Sequence, residues 1–118
     1  MIAIVDDDEP VRVAMKSLVR SLGYNASTFG SAEEFLNSEQ VDDTSFLITD
    51  LHMPGLSGLD LQDRLIAKGL RIPIIFITGF PDYTARARAM RAGALAFLTK
   101  PINQHDLIDH LETALKAA

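Results

Sequence analysis

The chain has no cysteine, which removes a disulfide framework and any thiolate-based zinc or redox centre and fits a reducing compartment. It also lacks long hydrophobic runs. Its apolar stretches fall far short of the roughly 20 residues a membrane span needs, and Met1 leads straight into an apolar segment rather than a charged leader and signal core. An excess of positive charge is missing too: 11 Lys and Arg face 16 Asp and Glu, for a formal net charge of -5. Such a chain carries no electrostatic footprint for nucleic acid, so DNA binding would need another domain. Neither a Gly-x-Gly-x-x-Gly turn nor a Gly-Lys-Ser/Thr phosphate loop follows any apolar run, which argues against a nucleotide-binding enzyme. No internal repeat, linker or low-complexity stretch is apparent. At 118 residues the chain is long enough to bury a core without staples; a single domain over residues 1–118, cytoplasmic and free of membranes, is expected.

What is there is an alternation of short apolar runs and amphipathic stretches, the order of βα units on a parallel sheet. Five units fit. After a first strand ending at Val5, Pro10 suits a first helical turn, and Val11, Met15, Leu18 and Leu22 recur at helical spacing until Gly23, predicting a helix from about Glu9 to Leu22. A short strand around Asn25 to Phe29 follows. Ser31 with Glu34 three residues on is a capping-box signature for a short helix carrying Phe35 and Leu36. Phe46 to Thr49 is the third strand; Pro54, Gly55, Ser57 and Gly58 mark a loop; Leu61 and Leu65 lie on a third helix. Ile72 to Thr78 is a β-branched fourth strand, and the Gly79-Phe80-Pro81 break leads to a helix from about Asp82 to Ala92. That helix is mostly Ala and Arg, with Met90 nearly its only large candidate for burial, so it should gain little from packing and shift readily. A last strand runs from about Ala96 to Leu98, and Asn103 caps a helix with Leu107, Leu111 and Leu115 on one stripe. The expected fold class is α/β, a (βα)5 doubly wound five-stranded parallel sheet with helices on both faces.

Three of these apolar runs end on charge: Met1 to Val5 into Asp6-Asp7, Phe46 to Thr49 into Asp50, and Ala94 to Thr99 into Lys100-Pro101. Runs of that kind read as strands buried on both faces, and ligands of open α/β sheets bind at the carboxyl edge of the strands. Carboxylates crowded there oppose one another's ionisation, so such a cluster holds a divalent cation or does chemistry. Asp50 is the candidate nucleophile, since a carboxylate can attack phosphorus and form an aspartyl phosphate. Mg²⁺ takes oxygen ligands, keeps several waters and is typically held by one or two carboxylates, which Asp6, Asp7 and Asp50 could supply. Lys100 would bring a positive charge to an incoming phosphoryl group and Thr78 a hydroxyl, while Gly79 would leave room for access.

These residues resemble a known family, the receiver domains of bacterial two-component response regulators. The resemblance is carried by Val5-Asp6-Asp7-Asp8-Glu9-Pro10-Val11-Arg12, Thr49-Asp50-Leu51-His52-Met53-Pro54-Gly55-Leu56-Ser57-Gly58, Thr78-Gly79 and Lys100-Pro101, and spans essentially the whole chain. Through its Asp-Glu-Pro-Val-Arg helix start, the Ser31 to Leu36 segment and Ile77-Thr78-Gly79, it is most similar to the FixJ type. The resemblance implies a flavodoxin-like strand order 2-1-3-4-5 and a signalling switch, not an enzyme beyond promoting its own phosphorylation and dephosphorylation. Asp50 would accept a phosphoryl group from a histidine kinase. Asp7, Asp50 and the backbone carbonyl of His52 would bind Mg²⁺ (or Mn²⁺), with Asp6 acting through water, and Thr78 and Lys100 would contact the phosphoryl oxygens. The Lys100-Pro101 peptide would be cis. A switch pairing Thr78 with Phe97 would reposition the face made by the fourth helix, fifth strand and fifth helix, controlling homodimerisation or a DNA-binding output domain of a transcription regulator. Phe97 has no hydroxyl, so that switch would work by apolar burial.

Other readings stand beside these. Asp8 and Glu9 read as cap or solvated turn, His105 and His110 as surface, and Phe97 as plain core; Arg86, Arg88 and Arg91 read as a solvated face or a partner surface. The His52 imidazole is a poor ligand for a hard cation. A stand-alone receiver acting through protein–protein contacts is the alternative to a transcription regulator. A metal-dependent phosphohydrolase is a weaker one, because no second acid/base accompanies Asp50.

Overall fold

All five apolar segments enter one sheet. The computed structural model, which describes residues 1–116, contains β1 (Ile2–Val5), α1 (Glu9–Ser21), β2 (Ala26–Phe29), α2 (Ala32–Leu36), β3 (Phe46–Asp50), α3 (Gly58–Ala67), β4 (Ile74–Thr78), α4 (Tyr83–Arg91), β5 (Ala96–Thr99) and α5 (Gln104–Lys116). A 3-10 turn over Val41–Asp43 leads into β3. The strands are parallel in the order β2-β1-β3-β4-β5, the doubly wound arrangement expected from the alternation.

The pleat sorts the core into two layers, because successive strand side chains point to opposite faces. Ile2, Ile4, Phe46, Ile48, Ile75, Ile77 and Ala96 pack with Met15 and Val19 of α1 and Leu107 and Leu111 of α5. Ala3, Val5, Leu47, Leu51 and Phe76 pack on the other side with Phe35 of α2, Leu61 and Leu65 of α3, and Ala85 and Ala89 of α4. β1, β3 and β4 are buried on both faces, as continuous apolar runs require.

β5 departs from that reading. It is an edge strand, and only Ala96 is fully buried while Thr99 is exposed. β4 starts at Ile74, two residues later than predicted, because Pro73 has no N–H to give the ladder. In α4 the assignment of Met90 to the core is wrong. Met90 is 40% exposed, and the inward stripe is Ala85 and Ala89 at i and i+4. The thin packing expected of this helix therefore holds more strongly than the sequence suggested. The α2 signature is half a capping box: Ser31 Oγ accepts from the Glu34 N–H, but the Glu34 carboxylate accepts from Gly30. The complete box is at α3, where Ser57 and Asp60 cap each other reciprocally.

Candidate functional site

Strand register sets the carboxyl edge. Val5 pairs with Thr49 and Asp50 with Ile77, so Asp6, one residue past the end of β1, comes level with Asp50. Thr78 pairs with Thr99, and Lys100 N–H donates to the Thr78 carbonyl at 2.7 Å, which starts the last connection beside β4. Pleat parity does the rest. Asp6, Asp50 and Lys100 continue the alternation of the α1–α5 face, whereas Thr78 continues that of Phe76 and Phe97 on the opposite face.

Asp6, Asp7 and Asp50 each present a carboxylate oxygen within 4.8 Å of the others. Asp6 is 0% exposed and Asp50 7%, while Asp7 faces solvent. Asp6 is held from three sides: Oδ1 accepts from the Asp8 N–H at 2.9 Å, Oδ2 from Lys100 Nζ at 3.3 Å, and its main-chain oxygen from Arg12 Nη1 at 2.6 Å. Lys100 Nζ also lies 3.6 Å from Asp50 Oδ2, so one ammonium is shared by two carboxylates. The Lys100-Pro101 peptide is cis.

The charges do not balance. Burial, and then the neighbouring Asp6 charge, push the Asp50 carboxyl above its ordinary pKa of 3.8, and Lys100 offsets this only partly. For Lys100, burial works against the charged form, but the attraction of Asp50 and Asp6 outweighs it and raises the ammonium above 10.5. An edge with three hard oxygen donors and one shared counter-charge has the donor chemistry of a Mg²⁺ or Mn²⁺ site.

The remaining sequence candidates are arranged differently. The Thr78 hydroxyl donates to the Phe80 carbonyl at 3.1 Å and accepts from the Phe80 N–H at 3.2 Å, so it is engaged with its own loop rather than with the carboxylates. The His52 side chain is exposed in the loop after Asp50. Phe97 is partly buried with its ring centre 6.1 Å from that of Phe76. Arg88 pairs with Asp63 on α3, and His105 is exposed. A Cβ at Gly79 would meet nothing within 4 Å, which leaves the approach beside Thr78 open.

Sequence reasoning missed three residues around the site. Arg12 anchors the Asp6 carbonyl. Gly58 is more than a loop marker: a Cβ there would lie 2.4 Å from the Asp50 carbonyl oxygen. Glu33 accepts from the Leu56 N–H, 23 residues away. No local spacing rule signals contacts of that range.

A doubly wound parallel sheet with an acidic triad and a lysine at its carboxyl edge defines a class of open α/β domains with a charged working edge. Within it, the family model of the response regulator receiver domain matches residues 2–112, and the chain belongs to that family. It is 47% identical over its whole length to the response regulator protein TmoT of Ectopseudomonas mendocina, covering 54% of that protein. It is 32% identical over 99% of its length to the transcriptional regulatory protein FixJ of Bradyrhizobium diazoefficiens, covering 57% of it. The crystal structure of FixJ-N superposes with a TM-score of 0.86 at 36% identity, over 99% of this chain and 94% of that one. The FixJ likeness read from the motifs stands, and the identity to TmoT is higher. The chain spans about half the length of these two relatives. Among the described residues, no helix is long and apolar enough to cross a membrane.

Proposed function

We propose that residues 1–118 form one receiver domain, a cytoplasmic signalling switch that takes a phosphoryl group onto Asp50 from a phosphohistidine of a histidine kinase. The observation that carries this reading is the meeting of Asp6, Asp7 and Asp50 around the Lys100 ammonium at the carboxyl edge. In the transfer an Asp50 Oδ–P bond forms as the histidine N–P bond breaks, and the freed imidazole takes a proton from solvent. Asp50 must be ionised to attack, and its burial beside Asp6 opposes that. Asp7, Asp50 and the His52 carbonyl would hold Mg²⁺ or Mn²⁺, with Asp6 acting through water. When bound, the cation supplies positive charge for Asp50 and for the phosphoryl oxygens. Lys100, already 3.6 Å from Asp50, is the counter-charge that follows the new oxygens. Among the described residues, the titratable groups clustered with Asp50 are Asp6, Asp7 and Lys100, which this reading assigns to the cation and the phosphoryl oxygens, so the hydrolysis expected is that of its own acyl phosphate.

Release of the Thr78 hydroxyl from Phe80 toward the phosphoryl group, with Phe97 moving against Phe76, would bias α4 and the face it makes with β5 and α5. A coupling of about 1–3 kcal/mol is typical of such devices. The readout is a homodimer or an output domain that binds DNA, in keeping with the regulators this chain resembles. Intact-mass measurement after incubation with acetyl phosphate and Mg²⁺ tests the acceptor: a single phosphoryl adduct is expected on the parent and none on Asp50→Asn. Equal labelling of both proteins, or none on the parent, overturns the reading. With beryllofluoride and Mg²⁺, amide resonances around Thr78, Met90 and Phe97 should shift; shifts confined to the acidic loops would refute the coupling.

A further inference from the structure

The loop between β3 and α3 is closed at its base, where Gly58 N–H donates to the Leu51 carbonyl at 2.9 Å and Leu51 N–H donates to Ile77. Its middle is different. Among the described residues, the main chain of residues 52–56 has one hydrogen bond to another element, from the Leu56 N–H to Glu33 Oε1 at 3.2 Å. The same carboxylate lies against Gly55, where a Cβ would come within 2.3 Å of Glu33 Oε2, and Gly55 has φ +77°. Met53 and Leu56 add apolar contact with the core, which fixes depth but not the orientation of peptide planes. Glu33 itself is well placed to act as a fixed point. It follows Ala32, which is wholly buried, on a helix pinned by Phe35 and by the Ser31 cap.

We propose that Glu33 is a positioning residue for the cation site: its carboxylate on Leu56 and Gly55 sets the loop so that the main chain after Asp50 meets the ion in the right orientation. This rests on the reading that the His52 carbonyl is a ligand of the Mg²⁺ bound by Asp7 and Asp50. A backbone carbonyl in an untethered loop must be ordered when the ion binds, and that entropy comes out of the affinity. Glu33 supplies the order beforehand.

Two variants separate this role from a simple field effect of one exposed charge. Glu33→Gln keeps an acceptor for Leu56 and loses the charge; Glu33→Ala loses both. The Mg²⁺ dissociation constant of the unphosphorylated chain, measured by calorimetry, should rise about tenfold in Glu33→Ala and stay within about twofold of the parent in Glu33→Gln. Hydrogen exchange of the Leu56 amide should accelerate in the alanine variant alone. Equal weakening by both substitutions, or an unchanged Mg²⁺ affinity in Glu33→Ala, overturns the proposal. Should Glu33→Ala unfold, Glu33→Met, which loses the acceptor and the charge without adding an opposite one, replaces it in the same amide exchange and titration, with the same loss expected and the same null result decisive. Asp7→Asn is the control that keeps the two readings apart. Loss of Mg²⁺ binding there with no effect at Glu33 removes the tether and leaves the site, whereas no Mg²⁺ binding by the parent removes the site.

Discussion

Asp50 is asked to be an anion in a place that disfavours one. Burial and the Asp6 charge raise its pKa above 3.8 in the folded chain, so folding favours the protonated form. The sign follows: the native state is relatively most favoured below the unfolded value of 3.8, and loses that advantage as pH rises through the higher folded value. In Mg²⁺-free buffer at neutral pH, Asp50→Asn is therefore expected to melt above the parent, with the gap narrowing as pH falls toward 3.8. A variant that melts below the parent at every pH would show that the Lys100 contact outweighs the burial. Gly58 carries the second prediction at this scale. Its missing Cβ is what lets α3 begin against the Asp50 carbonyl, at a notional 2.4 Å, and the obstacle is backbone rather than a movable side chain. Gly58→Ala should cost about 1–3 kcal/mol in urea unfolding and slow phosphorylation by acetyl phosphate, because the strain falls on the acceptor's own main chain. The acids and Lys100 were legible in the sequence because each ends an apolar strand. Gly58, Arg12 and Glu33 were not: Arg12 and Gly58 act on main-chain carbonyls within their own βα units, which no side-chain pattern marks, and Glu33 meets Leu56 only once separate βα units have closed on one another.

Elements differ in how firmly they are held. α1 and α5 lock into the sheet through Met15, Val19, Leu107 and Leu111, whereas α4 offers only Ala85 and Ala89. Polar contacts to α3 make up part of that deficit. The buried Gln62 Nε2 donates to the Ala89 carbonyl at 3.1 Å, and Arg88 pairs with Asp63. The Ala89 carbonyl also takes the Ala94 N–H, closing the helix end after Gly93 at φ +101°. Gln62 thus grips α4 where the helix stops, at the end away from Thr78. Gln62→Leu is expected to cost about 1 kcal/mol in global stability, yet to speed amide exchange in α4 far more than in α3; uniform acceleration of both helices would contradict a local grip. The looseness of α4 could be read from its Ala and Arg content, but the identity of its inward stripe could not. Met90 attracts attention as the largest apolar side chain, while the helix phase, set by where Asp82 caps the first turn through Ala85 N–H, turns it outward. β5 misled for a related reason: an apolar run reports burial, and an edge strand gets part of it from one neighbour only.

The molecule as a whole separates the layers that hold it together from the edge that works. Apolar packing occupies both faces of the sheet, and the charges that oppose folding are gathered at one carboxyl edge, where the register of β1 against β3 brings two buried carboxylates level. Charge is also uneven along the chain. Residues 64–91 hold Arg64, Lys68, Arg71, Arg86, Arg88 and Arg91 against the single acid Asp82, which leaves the rest, including that edge, strongly acidic. A divalent cation should therefore act as a stabiliser of the entire domain, because it binds only where folding has assembled the carboxylates. At free Mg²⁺ one hundred times its dissociation constant, linkage gives about 2.7 kcal/mol, and a domain of this length should gain about 10 °C in melting temperature. Sodium chloride at matched ionic strength should reproduce little of this, since Asp6 is wholly buried and Asp50 largely so, and mobile ions screen buried charges poorly. Asp7→Asn should lose most of the Mg²⁺ gain with little change in the metal-free melt, as Asp7 is the exposed member of the triad. Asp50→Asn should lose it as well, but from a higher starting point. A Mg²⁺ shift that survives both substitutions would mean that the ion binds elsewhere on the acidic surface, and the edge would then have to be read as an ion-paired cluster without a metal.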